Sequence, residues 1–150
     1  MCSGGMGIIG GGEDMRLLVD SDACPVRKQI EEVAMKCGVR VLFYTNDSQR
    51  IRVNYGRVIT VATYPDSTDE ALVKRCGRGD VVITQDYGLA EICLYRGAYV
   101  LHYNGWQYTE EKIQAKEKGK AKIRGGLNSF VFEKKLEKLL RKLRDPLQIM

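Results

Sequence analysis

The sequence contains one histidine, His102, and none of its five cysteines forms a C-x-x-C pair. A zinc site of His and Cys at the usual ligand spacing therefore has no basis, and an odd cysteine count does not make a disulfide framework. No stretch approaches the roughly 20 apolar residues of a membrane span, and no basic segment followed by an apolar one opens the chain as an export signal would. These absences point to a reduced, cytoplasmic protein without a membrane partner. A length of 150 residues suits one domain, large enough to bury a core without covalent or metal staples.

Glycine and charge are unevenly spread. The opening MCSGGMGIIGGGED holds six of the sixteen glycines, which raises the entropy cost of ordering it. Residues 1–14 are expected to be a mobile leader or an artificial extension, with residues 15–150 as the single domain. Through Glu111 there are 12 Lys+Arg against 15 Asp+Glu; from Lys112 onward there are 12 against 4, so the two parts carry −3 and +8. The basic region, residues 112–144, includes Lys116, Lys118, Lys120, Lys122 and Arg124 in a Gly- and Lys-rich stretch, the expected contact for nucleic acid. A solvated helix face is the commoner explanation of such a run.

Short apolar runs alternate with helical patterns, which predicts β-α-β units, a parallel sheet and a three-layer α/β/α fold. Strand LLVD leads to a helix from about Pro25 to Cys37, with Val26, Ile30, Val33, Ala34 and Cys37 on one face and Gly38 as its stop. VRVLFYT, RVITVA, DVVITQD and AYVLHYN read as further strands. The stretch from Asp66 gives a helix in which Ser67 and Glu70 have capping-box spacing, and YGLAEICLYRG gives another. A helix is expected from Thr109, and an amphipathic one from about Ser129 to Arg144 turns Phe132, Leu136, Leu139, Leu140 and Leu143 to one side.

Ligands of an open parallel sheet bind at the carboxyl ends of its strands, where strand order reverses. Asp20 and Asp22 end the first strand, Asp86 follows VVIT, and Asp66 and Asp69 begin the helix before that strand. If those two strands are neighbours, the acids converge. Such a cluster resists full ionisation without a cation, and Mg2+ or Mn2+ prefers oxygen ligands. A cation held this way binds phosphate and activates water, which makes phosphodiester hydrolysis the natural reaction class. Helix capping is the competing explanation for Asp22, Asp66, Asp69 and Asp86. Cys24 reads as a packed thiol rather than a nucleophile, and Trp106 and Tyr108 as cover for a sheet edge rather than platforms for bases.

VDSDACPVR (19–27), DSTDEALV (66–73), GDVVITQDYGLA (79–90) and RGAYVL (96–101) resemble the signature blocks of the bacterial YaiI/YqxD family, in its order and spacing. YTEEKI and RGGLNSFVFEKKLEKLL resemble its closing region. That family is similar to the PIN-like superfamily, mostly metal-dependent nucleases with sheet order 3-2-1-4-5, often paired as homodimers. The resemblance implies that Asp20, Asp69 and Asp86 are catalytic and metal-binding, that Asp22 and Asp66 are supporting acids, and that Thr84 is the small hydroxyl residue before the last aspartate. Where relatives show DAD and DAAD, this chain has DSD and DSTD, and every carboxylate is kept.

The expected function is a Mg2+- or Mn2+-dependent nuclease acting on RNA. Two alternatives stand beside it. A strand followed by DSD also resembles the nucleophile motif of haloacid-dehalogenase phosphatases, with Asp20 as nucleophile and Asp22 as acid. A PIN-like domain could also bind RNA or protein without cutting.

Overall fold

The computed structural model describes residues 15–22, 24–46, 50–61, 67–117 and 128–144; the leader, Asp66 and residues 118–127 lie outside them. Five strands, β1 (Arg16–Asp20), β2 (Arg40–Asn46), β3 (Arg57–Val61), β4 (Val81–Ile83) and β5 (Tyr99–Leu101), form one sheet in the order β3-β2-β1-β4-β5. All four pairings are parallel. The helices are α1 (Arg27–Cys37), α2 (Ser67–Arg75), α3 (Tyr87–Tyr95), α4 (Glu110–Glu117) and α5 (Ser129–Arg144).

Strand alternation sorts the core into two halves. Leu17, Val19, Val41, Phe43, Val81 and Ile83 pack on one side with Ile30 and Val33 of α1 and Phe132, Leu136 and Leu140 of α5. Leu18, Leu42, Tyr44 and Val82 pack on the other with Leu72 of α2, Leu89 and Cys93 of α3 and Ile113 of α4. The sheet is therefore the middle of three layers. Its apolar strands are covered on both faces, as parallel strands require.

Helix α1 begins at Arg27 rather than Pro25. Val26 takes the cap position with φ −115° and ψ 24° and offers no side-chain cap. The helix stops at Gly38, whose φ of 69° is left-handed and whose N–H reaches the carbonyls of Ala34 and Met35, a backbone state that glycine adopts without strain. Glu31, on the same helix, is buried and accepts hydrogen bonds from the N–H groups of Asn54 (2.5 Å) and Tyr55 (3.1 Å), so it ties down the approach to β3.

At the amino end of the sheet, Arg16 of β1 clamps Asp80 just before β4. Its Nε and one terminal nitrogen donate to the two carboxylate oxygens at 3.2 and 2.8 Å. The Gly77 N–H adds a third donor at 2.9 Å. Asp80 is buried, and it raises the pKa of the Arg16 guanidinium. Asp80→Ala strands Arg16 and is expected to cost about 3 kcal/mol in urea unfolding. Arg16→Met/Asp80→Leu, which leaves no unpaired charge, should recover most of that loss; a double variant as unstable as Asp80→Ala would refute the assignment.

Candidate functional site

The register that pairs Val19 with Ile83 brings Asp20 level with Thr84. Both follow their strands' alternation onto the face that carries α2 and α3, in phase with Leu18 and Val82. The Thr84 hydroxyl donates to Asp20 Oδ2 at 2.8 Å and accepts from the Asp86 N–H at 3.0 Å. One hydroxyl thus links the ends of β1 and β4. This is the point where the order β3-β2-β1 gives way to β4-β5, the crevice in which open parallel sheets hold their ligands.

Asp20 is only 8% exposed, and its carboxyl is pushed up to about 6. Burial is the main cause; the negative charges of Asp22 and Asp86 push the same way, against the hydrogen bond from Thr84. Two tyrosines brace the backbone beneath it. The Tyr103 hydroxyl donates to the Asp20 carbonyl at 2.5 Å, and the Tyr108 hydroxyl donates to the Thr84 carbonyl at 3.2 Å. Both rings are buried, which raises the pKa of each phenol.

Asp86 is at once a helix cap and a cleft residue. It is the N-cap of α3, its Oδ1 accepting from the Leu89 N–H at 3.1 Å, yet its side chain is exposed and lines a cleft of about 560 Å³. Glu91 and Gly88 of α3 line the same side, and Asp69 and Glu70, from the first turn of α2, line the facing wall. Two helices thus present four carboxylates to one cleft.

Asp22 goes elsewhere. Its oxygens accept from the Thr45 hydroxyl (3.1 Å), the Asn46 N–H (3.3 Å) and the Asn46 side-chain amide (3.4 Å), which fixes it over the end of β2. It does not cap α1. Asp66, Lys118, Lys120, Lys122 and Arg124 lie outside the described residues, and Lys116 is described only as backbone in the last turn of α4. Among the described residues, no three or more His, Cys, Asp or Glu side chains stand together as a ready group of metal ligands. The donor chemistry nevertheless suits a hard cation: carboxylate oxygens alone, one of them buried among like charges.

The other candidates are structural. Burial pushes the Cys24 thiol up to about 11, unsuited to a nucleophile. Gln107 bridges to Leu101 and the Tyr108 N–H donates to the Val100 carbonyl at 2.8 Å, so this segment covers the β5 edge. Sequence reasoning missed Tyr103, and missed that Tyr108, besides covering the edge, braces the Thr84 carbonyl. The only signal for them was the density of aromatic residues after β5.

The family model described as "Uncharacterized BCR, YaiI/YqxD family" matches residues 18–122. The chain belongs to the YaiI/YqxD family. It is 46% identical over 99 residues to a UPF0178 protein of Natranaerobius thermophilus, covering 66% of this chain and 67% of that one. A UPF0178 protein of Alkaliphilus oremlandii is 40% identical over 99 residues, 66% of this chain and 64% of the relative. For one from Clostridium kluyveri the figures are 30% over 128 residues, 85% and 75%. The first two matches thus span about two thirds of the relatives' own length. No solved structure matches.

The raised Asp20 pKa has a consequence for stability. Between the ordinary value of 3.8 and about 6, the folded chain holds a proton that the unfolded chain has released. This contribution to stability is present at low pH and is lost as pH rises through 6, by about 3 kcal/mol in all. Asp20→Asn is therefore expected to be more stable than the unmodified protein at pH 8, by about 2 kcal/mol, with a flatter profile between pH 4 and 6. Urea unfolding across that range checks it, and a variant less stable at pH 8 would refute it.

Proposed function

We propose that this chain is a divalent-metal-dependent nuclease that hydrolyses phosphodiester bonds, with RNA as its substrate class. One observation carries the reading: Asp20 is buried at the switch point, and the charges acting on it, Asp22 and Asp86, are both negative. A site that keeps a carboxylate there favours a cation as its counter-charge. Asp20 and Asp86 would hold Mg2+ or Mn2+, with Asp69 on the facing wall of the cleft. Such an ion, when bound, neutralises phosphate charge and activates water for attack on phosphorus.

The chain's own residues do the positioning. Thr84 fixes the rotamer of Asp20 and the backbone of Asp86 through one hydroxyl. Tyr103 and Tyr108 hold the carbonyls of Asp20 and Thr84 through buried hydrogen bonds, which fixes the backbone at the two strand ends. The phosphatase alternative needs Asp22 as a proton donor. Asp22 instead accepts three hydrogen bonds from the end of β2, which supports an anchoring role.

The test incubates end-labelled single-stranded RNA, duplex RNA and single-stranded DNA with Mn2+, Mg2+ or EDTA, beside Asp20→Asn and Asp86→Asn. Metal-dependent cleavage of RNA that falls at least 100-fold in both variants is the expected result. Cleavage that survives Asp86→Asn would sink the reading. Turnover of a small phosphomonoester without RNA cleavage would move the assignment to a phosphatase, and RNA binding without cleavage to a binding domain.

A further inference from the structure

A second groove, of about 300 Å³, runs between Gly105–Gln107 and α5. Lys112, Lys135, Lys138 and Lys142 line it, Trp106 forms part of its wall, and none of its lining residues is acidic. Lys135, Lys138 and Lys142 fall in one stripe about 60° wide, spaced about 4.5 and 6 Å along the axis of α5. That stripe borders the buried Leu139, a placement in which lysine stems lie along apolar surface and their ammonium groups reach solvent.

The acids of α5 do not neutralise this stripe. Glu137 pairs with Lys36 at 3.1 Å and with Arg141 at 2.8 Å on another side of the helix, and Glu133 stands two residues from Lys135, off the stripe. Lys112, from the first turn of α4, is held in place: its ammonium donates to the Gln107 carbonyl at 3.0 Å and lies 5.1 Å from the centre of the Trp106 ring. Trp106 itself is stacked on His102, with centroids 4.5 Å apart and planes 12° apart. The indole is therefore a wall, already engaged, and not a platform awaiting a base.

We infer that this groove binds the phosphate backbone of a nucleic-acid strand without metal and leads it toward the acidic cleft. Four cations around one concave surface fit a phosphodiester chain by charge. The two sites are joined by an aromatic ridge: Tyr87, next to Asp86, lies 6.1 Å from Trp106 and 5.3 Å from Tyr108 by ring centroids. A strand that leaves the groove past Trp106 and Tyr87 would bring a phosphodiester toward Asp86. The direction of the path rests on the nuclease reading; the binding does not.

Trp106 is the sole tryptophan, so its fluorescence reports on the groove directly. The full chain is titrated with a single-stranded RNA 12-mer in EDTA, so that neither metal nor cleavage contributes. A saturable fluorescence change is expected, with log K falling against log[salt] at a slope of about −2 to −3, as for three or four phosphates of a single strand. Lys135→Glu/Lys138→Glu/Lys142→Glu should weaken binding at least tenfold, and the triple Lys→Gln variant by less, both with unchanged circular dichroism. No fluorescence response, or a Lys→Glu triple that binds within twofold of the unmodified chain, would overturn the assignment. Inorganic polyphosphate of equal charge binding as tightly as RNA would also overturn it, giving the groove to polyphosphate. Binding as expected, with no metal-dependent cleavage in the separate assay, would uphold the groove while removing the nuclease reading.

Discussion

The hydrogen bond from Thr84 to Asp20 joins β1 to β4 at the line where the sheet's two winding directions part, and the geometry of the site follows from it. Without it, Asp20 would be a buried carboxylate with like charges nearby and no hydroxyl to offset its desolvation. Because the same Thr84 oxygen accepts from Asp86, the start of α3 is set by the end of β1. Asp86 then caps the helix with one oxygen and faces the cleft that α2 closes from the opposite side. The sheet register sets this hydroxyl between the two aspartates, and the helix start and the cleft wall meet at it.

Three buried or nearly buried carboxylates show what distinguishes this position. Asp80 has Arg16 and a backbone N–H. Glu31 has two backbone N–H groups. Each is compensated within the chain, as a structural acid must be. Asp20 has the Thr84 hydroxyl and the Asp22 backbone N–H, set against burial and the negative fields of Asp22 and Asp86, and its carboxyl is pushed up to about 6. A position that costs stability when charged is expected where a carboxylate serves a ligand rather than the fold.

The amphipathic patterns were legible because a covered sheet and its helices impose their periods locally. The five strands, the three layers and the span of α5 follow from residues close in sequence, such as Leu17 to Asp20 and Phe132 to Leu143. Partners that meet only in the folded chain were not legible. Nothing near Asp22 reveals that Thr45 and Asn46 hold it, and Glu31 reads as part of a polar helix face until the segment at Asn54 and Tyr55 covers it. Asp80 and Asp20 look alike as acids beside apolar strands. The end of the strand on which each falls decides whether Arg16 or the switch point awaits it. For Asp86, capping and catalysis competed as readings of the sequence, yet one carboxylate has two oxygens and the structure uses it as a cap while exposing it to the cleft.

Charge is segregated for a physical reason. A lysine near Asp20 would lower its pKa and supply a counter-charge, which under the proposed reading comes from a cation. The acids of α2 and α3 instead face one another across their cleft, while Lys112 and the stripe on α5 lie beyond the ridge formed by Tyr87, Tyr108 and Trp106. Those rings are tied to the site they separate: Tyr108 holds the Thr84 carbonyl, and Tyr87 opens the helix that Asp86 caps. The aromatic contacts thus run from the residue beside Asp86 to the wall of the lysine groove. On the proposed reading, a polyanion is held by one set of charges as its reacting bond is presented to the other.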